Sequence, residues 1–214
     1  THGRMSAHPI WDVPTRVFHW ILVVAVICSW ASHEFNEPDI HIWSGYTVLV
    51  LVIFRLVWGL IGSIHSRFSD FIRGPGAVMK YWRGEIDARP GHSPPGGWSV
   101  TALLLILLAQ AVTGLFNSDD LLLDGPFHHA LDSDITDSIG AWHEYLFWGL
   151  SALISLHVVA IIYYQLVRKK NLIGPMVSGG TEGTAAPKPV WLALLIVCLA
   201  ALSLAVAIYF APEQ

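Results

Sequence analysis

Five stretches of this chain are apolar enough and long enough to cross a membrane as helices. Such a helix needs about 20 predominantly apolar residues. The predicted spans are Val17 to Ser32, His41 to Ile61, Trp98 to Phe116, Trp142 to Val167 and Val190 to Phe210. Trp11 and Trp30 flank the short first span and suit the interfacial belts of a longer, tilted helix. The pattern predicts an all-α membrane protein, a four-helix transmembrane bundle with a fifth, C-terminal transmembrane helix.

The composition agrees with this class of protein. The 214 residues are 54% hydrophobic and only 13% charged, whereas soluble proteins average about 25% charged residues. A secretory signal peptide also has an apolar core, but no A-x-A cleavage pattern follows the first span, so we interpret that span as a retained helix. We expect contact with membrane lipid and no nucleic-acid partner.

The basic residues predict the orientation in the membrane. All Lys and Arg outside the spans fall on one side of the predicted topology: Arg4, Arg16, Arg67, Arg73, Lys80, Arg83, Arg89, Arg168, Lys169, Lys170 and Lys188. The opposite loops, 33–40 and 117–141, contain neither Lys nor Arg. The positive-inside rule then places the N-terminus in the cytoplasm and the C-terminus in the periplasm, across a bacterial inner membrane.

This topology divides the chain into five parts. We expect a cytoplasmic N-terminal segment (1–16), a core of four transmembrane helices (17–178), a flexible cytoplasmic linker (179–189), the fifth helix (190–210) and a periplasmic tail (211–214). The longest cytoplasmic connection, 62–97, predicts two short interfacial helices interrupted by "GPG" at 74–76.

Four of the eleven histidines lie within or at the ends of the predicted spans: His19, His41, His143 and His157. Polar residues inside a membrane usually face the bundle interior with a partner, which makes these four candidate functional residues. The other seven are expected to be solvated in tails or loops, or at the outer interface in the case of His33. They are His2, His8, His33, His65, His92, His128 and His129.

Helical geometry arranges the four histidines in two pairs. Fourteen residues separate His143 from His157, which leaves them about 40° apart around the helix and roughly 21 Å apart along it. Depth in the membrane then pairs His19 with His157 and His41 with His143. Two facing imidazoles at each of two levels suit two haem irons with bis-histidine ligation.

Three other uses of these histidines remain open. Interhelical hydrogen bonds are common in membrane bundles, but four histidines at two matched depths argue against that role for all of them. A zinc site lacks further ligands near either pair. A proton relay would need acidic neighbours inside the spans, and only Glu144 borders them. Covalent c-type haem is excluded because no C-x-x-C-H occurs.

Four further residues are candidates for cofactor binding: Arg55, Arg16, Trp20 and Trp43. Arg55 follows His41 by fourteen residues and so reaches the level of the inner haem. Its guanidinium either pairs with a haem propionate or snorkels to the membrane surface. Arg16, Trp20 and Trp43 are near neighbours of His19 and His41 in the sequence.

The outer loop after the third span is strongly acidic. The stretch 117–140 contains six aspartates and no basic residue. It either steers a basic periplasmic c-type cytochrome or other haem protein towards the membrane, or simply follows the rule that outer loops avoid Lys and Arg.

These residues resemble the bacterial cytochrome b561 family, which includes the cytochrome b subunits of membrane-bound nickel-iron hydrogenases. The resemblance covers residues 10–180 through "TRVFHWILV", "HIWSGYTVLVLVIFRLVWG", "TGLFNSDD", "WHEYLFWGLSALISLH" and "LVRKKNLIGPMVSG". It implies a core with two non-covalent b haems that passes electrons between the quinone pool and a redox partner, with the ligand pairs His19–His157 and His41–His143. The ascorbate-linked eukaryotic cytochromes of that name place histidines on four consecutive helices, whereas the third span here has none.

We therefore expect an electron-transfer cytochrome that connects quinone or quinol with a periplasmic partner. The alternative is a membrane-anchoring cytochrome b subunit of a hydrogenase-like oxidoreductase. A third hypothesis is a histidine-relay proton channel or transporter. The sequence leaves open a quinone oxidoreductase activity, a homodimer and a larger complex.

Overall fold

The computed structural model describes residues 8–87, 91–118 and 124–212. Its helices are α1 (Val13–Glu34), α2 (Pro38–Ile61), α3 (Phe68–Phe71), α4 (Pro75–Trp82), α5 (Pro94–Gly114), α6 (Ser133–Leu166), α7 (Ile173–Ser178) and α8 (Val190–Tyr209). Within the described ranges, five of them, α1, α2, α5, α6 and α8, are long and apolar enough to span a membrane. This confirms the predicted class, a multi-pass all-α membrane protein.

Two spanning helices begin well before their apolar windows. α1 starts at Val13 because Asp12 caps it, accepting a hydrogen bond from the Thr15 backbone N–H at 2.8 Å. α6 starts at Ser133 rather than Trp142 and has 34 residues. A helix of that length measures about 51 Å, against about 30 Å of hydrocarbon. Its first turns therefore project beyond the membrane, where a hydropathy pattern does not detect them.

α2 lies at the centre of the bundle and α6 at its edge. Half of the apolar window of α2 is buried inside the protein, compared with 6% for α6. α2 packs against α1, α5 and α8, whereas α6 packs along α5. Across the residues that are described, α6 has at most sparse backbone contact with α1 and α2. The candidate histidines lie on α1, α2 and α6, and α6 meets the other two helices mainly through one buried cluster that contains Leu150, Ala25, Val48 and Val52.

The connections gather at two ends of the bundle. One end, here called the basic face, carries residues 8–12, 62–87, 91–93 and 167–189; the other, the acidic face, carries residues 35–37, 115–118 and 124–132. As predicted, residues 62–97 include two short helices, α3 and α4, with Gly74 capping α4. A Cβ atom on Gly59 would overlap the Phe68 ring, so glycine lets α3 lie directly against α2. Arg4, Arg89, Asp119 and Asp120 fall outside the described residues.

The segment expected to be a flexible linker is held against the basic face. The Gly183 N–H donates to the His8 carbonyl at 2.8 Å, and the Lys188 N–H donates to Ser63 Oγ at 3.0 Å. His65 binds Asp70 through Nδ1 and the Thr184 N–H through Nε2, both at 3.2 Å. The expectation that His65 is solvated was wrong, because it is only 7% exposed beneath this segment.

A buried carboxylate joins α1 to α2 at the basic face. Asp12 is 2% exposed, and its Oδ2 accepts from Trp58 Nε1 at 2.9 Å and from Ser66 Oγ at 3.4 Å. Thr15 and Ser66 also share a hydrogen bond of 2.8 Å between their hydroxyls. Because buried polar groups are costly unless paired, this network fixes the start of α1 against the end of α2.

Replacing Asp12 with alanine should destabilise the bundle. The change removes the α1 cap and leaves the indole N–H of Trp58 buried without an acceptor, a combined loss of roughly 2–4 kcal/mol. Thermal unfolding in detergent measures it. Asp132→Ala is the matched control, since Asp132 precedes α6 but its side chain makes no capping hydrogen bond. Equal losses in the two variants would contradict the importance of this network.

Candidate functional site

His41 and His143 face each other near the acidic face, as depth predicts. Their ring centres are 6.5 Å apart and their ring planes are inclined at 81°. Two imidazole–metal bonds of about 2 Å each, with roughly 1 Å from each nitrogen to its ring centre, place ring centres about 6 Å apart. The gap between these two rings therefore has the width that one metal atom between them requires.

The hydrogen bonds of this pair leave Nε2 of both rings as the nitrogen with a lone pair. His41 Nδ1 lies 2.9 Å from the Ser29 carbonyl, which only accepts, so Nδ1 carries the proton. His143 Nδ1 lies 3.0 Å from the Thr113 hydroxyl, whose own hydrogen goes to the Ala109 carbonyl at 2.8 Å. Metal-bound histidines commonly donate their second N–H to an oxygen in this way.

The third span supplies polar residues to this site that sequence reasoning missed. Gln110 Nε2 lies 3.2 Å from His143 Nε2, and the amide therefore donates to the lone pair that a metal would take. Its buried Oε1 has no hydrogen-bond partner. A signal was present in the sequence, because Gln110 is the one amide side chain of the third span and Thr113 follows it on the same face.

His19 and His157 lie near the basic face, close enough for their charges to interact. Around them is a concentration of unpartnered nitrogen atoms. Among the described residues, five buried side-chain N or O atoms lack a hydrogen-bond partner, and four belong to this end: Arg16 Nε, His19 Nδ1, Arg55 Nη1 and His92 Nδ1. Buried donors without acceptors are costly, so this end is suited to an anionic group that the chain itself does not supply.

Arg55 does not reach the surface of the protein. It is 3% exposed, and its guanidinium carbon lies 5.3 Å from the centre of the Phe68 ring and 5.8 Å from that of Phe71. The alternative in which Arg55 snorkels to the membrane surface was wrong for this reason. Asp12 exerts an electrostatic attraction on it, but the oxygens of Asp12 already accept from Thr15, Trp58 and Ser66.

Of the three other candidate cofactor-binding residues, two lie close to the histidines and one does not. Arg16 lies one turn before His19, and its Nη1 donates to the Val177 carbonyl at 2.6 Å. Trp20 contacts the His19 ring at 5.0 Å and donates to the Met176 carbonyl at 3.2 Å. Trp43 is 70% exposed and lies about 200° around α2 from His41. The structure thus brings Arg16 and Trp20 to the histidines and leaves Trp43 on another face.

His92 was expected to be a solvated loop residue, and that expectation was wrong. Its ring lies 4.8 Å from the Trp11 ring and 4.5 Å from the Phe71 ring, just ahead of α5. Burial, and after it the nearby Arg55 and His157, lowers the pKa of His92 to about 3. Its imidazole is therefore neutral at neutral pH and has one N–H to donate.

A family model for prokaryotic cytochrome b561 matches residues 10–179, the part of the chain that holds both histidine pairs. This match covers most of the sequence and all four helices of the site. The chain belongs to the prokaryotic cytochrome b561 family. It is a membrane b-type cytochrome, and the family implies haem b as its cofactor.

Curated relatives of this cytochrome include probable Ni/Fe-hydrogenase B-type cytochrome subunits. The protein of that name from Bradyrhizobium diazoefficiens is 21% identical, over 83% of this chain and 86% of its own length. The Ni/Fe-hydrogenase 1 subunit from Escherichia coli K12 is 20% identical, over 82% of this chain and 91% of its own length. No solved structure matches the chain significantly.

The donor set of the cytochrome fits haem better than a bare metal ion. Within the described residues, no group of three or more His, Cys, Asp or Glu side chains is arranged to hold a metal ion. Two facing imidazoles suffice for haem, because the porphyrin supplies the remaining ligands of the iron. The unpartnered Arg16 and Arg55 nitrogens fit the carboxylate groups that haem b carries.

If His143 is a haem ligand, removing the oxygen that orients its ring should weaken haem binding. Thr113→Val deletes the acceptor of the His143 Nδ1–H, and loss of such a partner lowers metal affinity roughly 10- to 100-fold. Thr113→Ser keeps the hydroxyl and is the matched control. Haem titration of haem-free protein, followed by absorption, measures the affinity. Unchanged affinity in Thr113→Val would show that this hydrogen bond does not support the site.

Proposed function

We propose that this cytochrome carries two b haems and transfers electrons across the membrane between quinone and a partner at the acidic face. His41 and His143 are the proposed ligands near the acidic face, and His19 and His157 those near the basic face. The main support for the proposal is the His41–His143 pair. Its ring centres are 6.5 Å apart, and the Nδ1 atom of each ring is within hydrogen-bond distance of an oxygen.

The offset along α6 supports two sites rather than one. His143 and His157 are fourteen residues apart on one continuous helix, which corresponds to roughly 21 Å along its axis. One haem cannot use both as axial ligands at that separation. With two sites near opposite faces, an electron could cross the membrane in transfers that are each shorter than the full width.

The residues around each site have separate roles. Ser29 and Thr113 fix the ring orientation of His41 and His143, while Arg55 and Arg16 are the proposed partners of the haem carboxylates near the basic face. Haem with two imidazole ligands supplies one-electron transfer, because it has no coordination position open for oxygen chemistry. The proposed location of the two haems is between α6 and the α1–α2 pair, one on each side of the buried cluster that contains Leu150.

A shallow, open groove at Trp20, which contacts the His19 ring, supports the quinone part of the proposal. It has a volume of about 350 Å³ and is lined by Val13, Arg16, Val17, Trp20, Ile21 and Val177. An apolar groove with one cationic edge suits a lipid-soluble ring with carbonyl oxygens. The basic residues at this face make the cytoplasmic side of a bacterial inner membrane its proposed location, with both the N-terminal segment and residues 179–189 on that side.

Counting haems in histidine variants tests the proposal. We expect two b haems per wild-type chain and one in each of His157→Ala and His143→Ala, because each change removes a ligand from a different pair. Pyridine haemochrome analysis and oxidised and dithionite-reduced spectra give the count. His129→Ala, at an exposed loop histidine, should keep both haems. A colourless wild-type protein would overturn the proposal and return the histidines to structural or proton-relay roles.

A second candidate is a membrane-anchoring subunit of a hydrogenase-like oxidoreductase. The relatives named as Ni/Fe-hydrogenase cytochrome subunits favour it. In both candidates the partner meets the acidic face, where the described exposed carboxylates include Glu34, Glu37, Asp39, Asp124, Asp132, Asp134 and Asp137. The candidates differ in the partner, a small mobile haem protein or a large subunit that stays bound.

Charge neutralisation distinguishes these partners. Asp132→Asn, Asp134→Asn and Asp137→Asn together should slow electron exchange with a basic c-type cytochrome about threefold to tenfold at low salt, and less at high salt. Glu182→Gln, at an exposed carboxylate on the basic face, is the control. Stopped-flow absorption measures the rates. Rates independent of charge and salt would contradict docking of a mobile cytochrome, and co-purification of a large redox subunit would then favour the second candidate.

A further inference from the structure

His92 is a half-buried polar side chain at the basic face that the proposed function leaves unused. It precedes α5 in the segment 91–93 and is wedged between the rings of Trp11 and Phe71, at 4.8 and 4.5 Å. Its Nδ1 is shielded from solvent and has no hydrogen-bond partner within the described part of the chain. The two aromatic rings hold the imidazole in place, but they do not form a hydrogen bond with its Nδ1.

The surroundings of His92 indicate what its partner must be. The groups that act on it electrostatically are Arg55 and His157, neither of which is anionic. Arg55 itself has an unpartnered Nη1. Two buried nitrogen atoms from different elements, α2 and the loop before α5, thus lie near a proposed haem ligand without a hydrogen-bond partner.

We propose that His92 donates a hydrogen bond from Nδ1 to a carboxylate of the haem held by His19 and His157. This inference rests on the proposed function. Arg55 and His92 would then approach the same end of that haem from α2 and from the α4–α5 connection. The segment 91–93 is then part of the cofactor site. Because the His92 ring packs against Trp11 and Phe71, it is held in position to donate.

The midpoint potential of the haem tests this hydrogen bond. A donor to the carboxylate offsets its negative charge, so removing the donor favours the ferric state and lowers the potential. In His92→Phe, the reduction equilibrium constant of the His19–His157 haem should fall about tenfold, which is 59 mV for one electron. His92→Gln keeps an N–H donor and should restore most of the wild-type value. Redox titration followed by absorption measures both haems separately.

Internal controls keep the outcomes distinct. The midpoint potential of the haem between His41 and His143 should not change in either variant, and neither haem's potential should change in His129→Phe.

Equal potentials in wild type and His92→Phe, with both haems bound, would overturn the inference while leaving the proposed function intact. Loss of the basic-face haem from His92→Phe alone would support a donor role. Its loss from both variants, or a changed low-spin ferric EPR signal in His92→Gln, would make His92 a ligand or a packing residue and overturn the inference. A wild-type protein without haem would overturn the proposed function itself.

Discussion

An imidazole inside a membrane has two ring nitrogens to satisfy and no water with which to satisfy them. That constraint organises the site at the acidic face. One nitrogen of His41 binds the Ser29 carbonyl, and one nitrogen of His143 binds the Thr113 hydroxyl. Of the two second nitrogens, Nε2 of His143 lies 3.2 Å from the Gln110 amide, and the two ring centres are 6.5 Å apart. An iron atom between the rings would satisfy both, which is why haem explains the arrangement better than hydrogen bonding alone.

The packing of the bundle is consistent with a cofactor that fills part of its interior. α2 is the central helix and is packed on three sides, whereas α6 is held mainly by α5. Two buried clusters hold the bundle together: Phe54 and Trp58 belong to one that joins α2 to α8, and Leu150 of α6 belongs to one that also contains Ala25 of α1 and Val52 of α2. At the basic face, the hydrogen bonds of Asp12 hold the start of α1 against the end of α2.

The sequence predicts the parts of this structure that have a strong local signal. The five spans are apolar runs, and His19, His41, His143 and His157 stand out because imidazoles are costly in such runs. Their helical offsets also predict that His41 meets His143. The start of α6 at Ser133 has no such signal, because its first turns are polar and lie outside the membrane.

Contacts made through tertiary structure are harder to predict. His65 and His92 occupy loop sequences that look solvated. Residues 179–189 bury His65, and Trp11 and Phe71 pack against the half-buried ring of His92. The hydrogen bonds of Asp12 link residues that lie more than forty positions apart in the chain. A local sequence pattern does not predict such contacts, because each one joins segments that are far apart in the sequence and meet only in the folded bundle.

An anomalous difference map, recorded at the iron absorption edge from crystals of the haem-loaded protein, would locate the irons relative to the two histidine pairs. Two iron peaks roughly 20 Å apart are expected, one between His41 and His143 and one between His19 and His157. A single peak, or a peak whose histidine ligand is His92, would contradict a pair of haems held by these four residues.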